Sequence, residues 1–256
     1  MLGFTIKKWF FDMWDNLLLI VACNLAMDLG LAILLVPGGL GLPAIAGWVV
    51  AGLSILVFYV VLGTSNGITW KISKGEPFEW AGVKDSFKRG LVPSLVLAFL
   101  QFAIVMLSVF AWNFYASMDH FIGLVLAALI FWALVFWFMT VIWYMPFNAQ
   151  METSVKRILR KSFLVALGNP LYSIAILIGS VLILAISIFT FTMLPGVAGM
   201  LLWHQTALKL RLYKYDWLEA HPGTPNKAIP WGELLAGENE RVGKRTLKGL
   251  IFPWKE

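Results

Sequence analysis

Cysteine is nearly absent. The 256 residues carry one, Cys23, which leaves no internal disulfide and no Cys-x-x-Cys redox or zinc pair. Charge is scarce as well. Asp, Glu, Lys and Arg make up 13% of the chain against ~25% in soluble domains, while apolar residues reach 60% against ~45–50%. A water-soluble globule is excluded. The three histidines, His120, His204 and His221, match no metal-ligand spacing, so no metal site is expected. Also missing are the Walker GxxxxGK[ST] loop, GxGxxG, HExxH and GxSxG. Nucleotide hydrolysis, dinucleotide binding, zinc hydrolysis and serine-hydrolase chemistry therefore lack their usual carriers. No enzyme and no cofactor are expected. The net charge of +6 would suggest nucleic acid in a soluble chain, but here long stretches carry no charge, so the bases mark something else.

What the chain has is apolar runs. A hydrocarbon core of ~30 Å needs about 20 helical residues. The runs 17–36, 44–63, 91–116, 121–144 and 171–194 meet that length. A sixth, 197–212, follows Pro195-Gly196 and is interrupted by Lys209. With six spans all 20 bases fall on one side: Lys7 and Lys8, then five from Lys71 to Arg89, four from Lys156 to Lys161, and nine from Lys209 to Lys255. Cytoplasmic flanks retain bases, which predicts an all-α six-helix bundle with both termini cytoplasmic. Lys7 and Lys8 before an apolar run, with Ala44-Ile45-Ala46 later, imitate a signal peptide. The run is longer than a signal core and contains Asn24 and Asp28, so it reads as a span. Trp14, Trp112, Tyr115, Trp143 and Tyr144 fall at span ends, as interfacial aromatic belts do.

The outer connections are short and rich in Gly and Pro (Pro37-Gly38-Gly39, Gly41, Pro43), which predicts tight hairpins. The inner segments 78–90 and 151–167 repeat apolar residues at helical spacing with bases opposite, which predicts amphipathic helices on the cytoplasmic leaflet. They share Ser86-Phe87 and Ser162-Phe163, each followed by a proline, a similarity that chance explains. Residues 1–219 form the membrane domain. Residues 220–256 are a polar tail, within which Leu250, Ile251, Phe252 and Trp254 beside Lys244, Arg245 and Lys248 suggest docking on the membrane or a partner. Small residues in the second span, Gly47, Ala51, Gly52 and Gly63, allow close helix approach.

Polar residues inside spans are costly and mark candidate sites. Asn24 and Asp28 share a face of the first span, with Asp28 about 16 Å above Leu17, near the midplane. His204, Gln205 and Lys209 lie on the sixth span and Gln101 on the third. Their depths predict a polar cluster in which Asp28 pairs with Lys209 or His204. Such a cluster fixes helix register or carries a solute, with interhelical packing the commoner use.

Several segments together resemble the YesL-like family of bacterial integral membrane proteins, a domain of unknown function. They are Asp15-Asn16-Leu17-Leu18 with Asn24, the outer Pro-Gly turn, Lys74-Gly75-Glu76, Asp85-Ser86-Phe87-Lys88-Arg89, Tyr144-Met145-Pro146, the basic 157–163 stretch, Pro195-Gly196, and Tyr213-Lys214-Tyr215. The resemblance covers residues 8–219 and carries no catalytic signature. It implies a bacterial inner-membrane location and a non-catalytic accessory role beside sugar ABC permease subunits of oligosaccharide import. The rival expectation is a small-solute or proton-coupled transporter with Asp28 as its carboxylate.

Overall fold

The computed structural model describes residues 1–35, 39, 41, 43–118, 120–151, 154–223, 229–243 and 245. The docking candidates Leu250, Ile251, Phe252 and Trp254 lie outside the described residues, as do Pro37 and Gly38 of the first outer turn. Among the described residues every regular element is helical.

Helix α1 (Leu2–Asp15) precedes α2 (Leu17–Ala32), which ends in a 3-10 turn, Ile33–Leu35. Then come α3 (Ala44–Lys74), α4 (Trp80–Ala116), α5 (Phe121–Gln150), α6 (Val155–Gly168), α7 (Pro170–Phe189) and α8 (Gly196–Ala220). The tail adds α9 (Trp231–Leu234) and α10 (Ala236–Val242). Five of these segments are long and apolar enough to cross a membrane: 17–35, α3, α4, α5 and α7. Their surfaces suit lipid. Leu18, Ile45, Phe121, Leu171 and Phe189 are all about four-fifths exposed, while Ser54, Asn66, Ser94, Ser173 and Thr206 are buried. Large apolar groups outside and small polar groups between helices is the packing expected where lipid replaces water.

Helix α8 is not among those five, and its surroundings explain why. At 25 residues it measures about 37 Å. Every residue from Leu201 to Leu208 is buried, because α1, α2, α3, α5 and α7 all pack against it. A helix enclosed by protein has no need of a uniformly apolar surface, so it carries His204, Gln205 and Lys209.

Three expectations are corrected. The segment 78–90 is not a separate interfacial helix; it is the first part of α4, which runs on through Pro93. Proline has no N–H, so the carbonyl of Arg89 loses its helical partner. Asn148 of α5 donates to that carbonyl at 3.4 Å and the Arg89 Nε–H donates to the Asn148 carbonyl at 2.8 Å, which fills the gap from outside. Trp143 and Tyr144 are fully buried rather than interfacial. Their polar ends are satisfied internally, by the Ser173 hydroxyl at 3.0 Å and the Pro93 carbonyl at 3.0 Å. The run 171–194 stops early, since Phe191 and Thr192 take φ of 51° and 64° and turn the chain into α8.

Helices α3 and α4 are antiparallel and nearly touch. A Cβ on Gly63 would lie 2.8 Å from the Gly90 carbonyl, one on Gly90 would collide with Gly63, and one on Gly67 would meet Ser86. Gly52, in contrast, has open space around it.

Candidate functional site: a polar axis along the last bundle helix

The six residues singled out by sequence do not converge. Five of them fall at three levels along α8, and Gln101 lies away from it. At the Gly196 end, the Asn24 amide donates to the carbonyls of Met193 and Pro195 at 2.9 Å each and accepts the Ala198 N–H at 2.7 Å. It thus satisfies an N–H of the first helical turn, which has no partner within the helix. Gly196 has φ of +64°, and a Cβ there would strike the Asn24 side chain, so the turn and the asparagine fit as one unit. One turn along α2, Asp28 accepts a hydrogen bond from the Thr192 hydroxyl at 2.6 Å.

The middle level is uncharged. The Ser180 hydroxyl donates to the Ile176 carbonyl at 2.9 Å, so at its 2.7 Å contact with His204 Nε2 it accepts, which assigns the ring proton to Nε2. Gln205 donates to the Asn66 side chain at 2.6 Å and receives the Gln150 amide at 2.9 Å. Asn66 in turn donates to the Met145 carbonyl at 2.8 Å. Three polar side chains, Asn66, Gln150 and Gln205, therefore tie α3, α5 and α8 together. Gln101 belongs to a different pair of helices: it accepts the Trp137 indole N–H at 3.0 Å, joining α4 to α5.

The charged level lies toward the other end of α8 and corrects the expected Asp28–Lys209 pairing. Lys209 is 13 residues beyond Gly196, about 20 Å along the helix from the turn that meets Asp28. It donates to the Ser73 carbonyl at 3.0 Å and is ion-paired with Glu238 of α10. Lys8 of α1 reaches the same carbonyl at 3.0 Å, Glu238 at 3.0 Å and Asp12 at 2.6 Å. Arg241 donates to Asp12 at 2.7 Å, and the Tyr213 hydroxyl donates to Glu238 at 2.9 Å. Ser73 stands in the last turn of α3, where carbonyls lack helical partners and the helix dipole favours cations, so two lysines converge there. Gly75 caps that helix at φ +78°, and a Cβ on it would lie 2.7 Å from the Arg241 guanidinium.

Burial and charge compete within this group. Burial alone would raise the Glu238 carboxyl, but the Lys209 hydrogen bond and the charges of Lys8 and Lys209 outweigh it and hold the carboxyl down at about 2. At Asp12 burial prevails over Lys8 and Arg241, and its carboxyl is raised. Lys8 is fully buried and Glu238 nearly so. Sequence reading missed Glu238, Asp12 and α1 itself. The signal for α1 was present, as Leu2, Ile6, Trp9, Phe10 and Met13 recur at helical spacing.

Among the described residues no three His, Cys, Asp or Glu side chains gather as a metal would require. The Ser180 hydroxyl beside His204 is spent on the Ile176 carbonyl, and the polar side chains of this axis hold helices to one another. No family model, no curated protein and no solved structure matches the chain.

Proposed function

We propose that the chain is a non-catalytic integral membrane accessory protein of the bacterial inner membrane, assisting an oligosaccharide ABC importer. The observation that favours a scaffold is the commitment of the polar residues on α8 to helices of the same chain. The link to an importer rests on the YesL-like pattern of residues 8–219. In this reading α8 is a sixth span and both termini are cytoplasmic. Its length of about 37 Å and its enclosure by other helices support that crossing. Affinity purification of the tagged chain from native membrane is the test. Co-purification of a sugar permease or its binding protein is expected; their reproducible absence overturns the reading.

Small-solute or proton transport is the second reading, favoured by Asp28 alone. This acid is only part-buried on a helix of membrane-crossing length, and its partner Thr192 sits in the left-handed turn between α7 and α8. Proteoliposomes decide. Flux lost in Asp28→Asn would support transport, and absence of flux in the wild type removes it.

A further inference from the structure

Beside the contact of α3 with α4 lies a cavity of about 210 Å3 that the polar residues of α8 leave unused. Trp70, Lys71 and Lys74 line it from α3, Asp85 and Arg89 from α4, and Asn148 from α5. It extends from Gly63 and Gly90 outward to Glu76. Those glycines mark a boundary in the sequence: the apolar run 44–63 ends at the first, and the run 91–116 begins after the second. The cavity thus occupies the level where hydrocarbon gives way to phospholipid headgroups.

Its charges are unevenly committed. Lys74 is ion-paired with Glu76, and its ammonium sits 5.5 Å from the Trp70 ring. Among the described residues the Lys71 ammonium has no hydrogen-bond or ion-pair partner, and Arg89 spends only Nε, on the Asn148 carbonyl at 2.8 Å. That leaves four guanidinium N–H donors, a fork suited to a phosphate. Two available bases against Asp85 leave a charge of +1. A phosphodiester of net charge −1 balances it, and hydroxyls on its substituent would donate to Asp85. The volume is below the roughly 300–1,000 Å3 of drug-sized sites, which fits a headgroup rather than a whole molecule.

We propose that this cavity seats the phosphodiester headgroup of an anionic phospholipid, with Arg89 and Lys71 holding the phosphate. A choline headgroup, of zero net charge and without a hydroxyl, meets neither requirement. The full chain, delipidated in detergent, is titrated with phosphatidylglycerol, phosphatidylcholine or soluble glycerol 1-phosphate, and bound molecules are counted by native mass spectrometry. One phosphatidylglycerol binds about tenfold more tightly than phosphatidylcholine, and Lys71→Gln and Arg89→Gln each remove that preference. Lys71→Gln breaks no side-chain hydrogen bond among the described residues, so it serves even where Arg89→Gln fails to fold. Lys84→Gln, exposed on α4 and outside the cavity lining, leaves the preference intact. Equal binding of the two lipids, an unchanged preference in Lys71→Gln, or a loss in Lys84→Gln as large as in Lys71→Gln overturns the proposal. So does glycerol 1-phosphate binding as tightly as the lipid, which would make the occupant a soluble phosphate ester.

Discussion

Replacing Glu238 by Gln tests the charged level directly. The substitution keeps the shape but removes the charge shared by Lys8 and Lys209 and replaces one of the two acceptor oxygens by an NH2 donor. Breaking a buried ion pair from one side costs about 3–5 kcal/mol, because the partner charge is left in place. Both lysines keep the Ser73 carbonyl, and Lys8 keeps Asp12, so the loss should sit near the lower end, about 3 kcal/mol. The assay is unfolding in detergent, read by thermal shift or denaturant midpoint. Lys209→Leu combined with Glu238→Gln should show a coupling of about 1–3 kcal/mol, whereas Lys209→Leu with Asp28→Asn should add within about 0.5 kcal/mol. Additivity in the first pair would refute the Lys209–Glu238 contact, and strong coupling in the second would restore the pairing expected from sequence. Acidity gives an independent check. The folded-state carboxyl of Glu238 is held at about 2, below its ordinary 4.5, so its contribution is complete above about pH 4.5 and is lost as pH falls toward 2. Asp12, raised above 3.8, acts with the opposite sign: it penalises folding at neutral pH, and the penalty lifts on protonation. The Glu238→Gln chain should therefore lose less stability than the wild type over that acidic window, and identical acid profiles would contradict the assignment.

Asn148→Ala should cost about 1–3 kcal/mol in the same unfolding assay by leaving the Arg89 carbonyl beside Pro93 without its donor, and no measurable loss would refute that role. Gly90→Ala should destabilise by at least about 1–3 kcal/mol through collision with the α3 backbone, while Gly52→Ala, in open space on the same pair of helices, should be neutral or slightly stabilising; equal effects would refute the close approach. For topology, a cysteine at Ser117 should react with an impermeant thiol reagent from the periplasmic side and one at Lys84 only after permeabilisation; the reverse labelling would overturn the proposed orientation.

Legibility in the sequence followed the medium each helix meets. The five segments of spanning length leave large apolar side chains exposed along much of their surface, so their hydropathy alone announced them. Helix α8 is enclosed by protein from Leu201 to Leu208, and its charges made it look shorter than it is. The polar residues were found, because Asn24, His204, Gln205 and Lys209 are conspicuous in apolar surroundings, but their partners were not. Depth counted from span ends placed Asp28 and Lys209 together, yet it says nothing of a carboxylate arriving from the tail. Nor does hydropathy reveal that α4 continues through Pro93, since the repair comes from Asn148, 59 residues beyond Arg89.

The charged level also imposes an order of assembly. Asp12 and Arg241 are 229 residues apart, which at roughly 5–20 residues per second means about 10–45 s between their syntheses. Throughout that interval Lys8 has only Asp12 beside it as a neutralising acid, and α8 enters the bundle with Lys209 still waiting for its carboxylate. A ribosome that stalls before Glu238 leaves all five spanning-length helices made and the bundle unlocked, exposing two lysines to whatever quality-control surveillance reads unpaired charge near the bilayer.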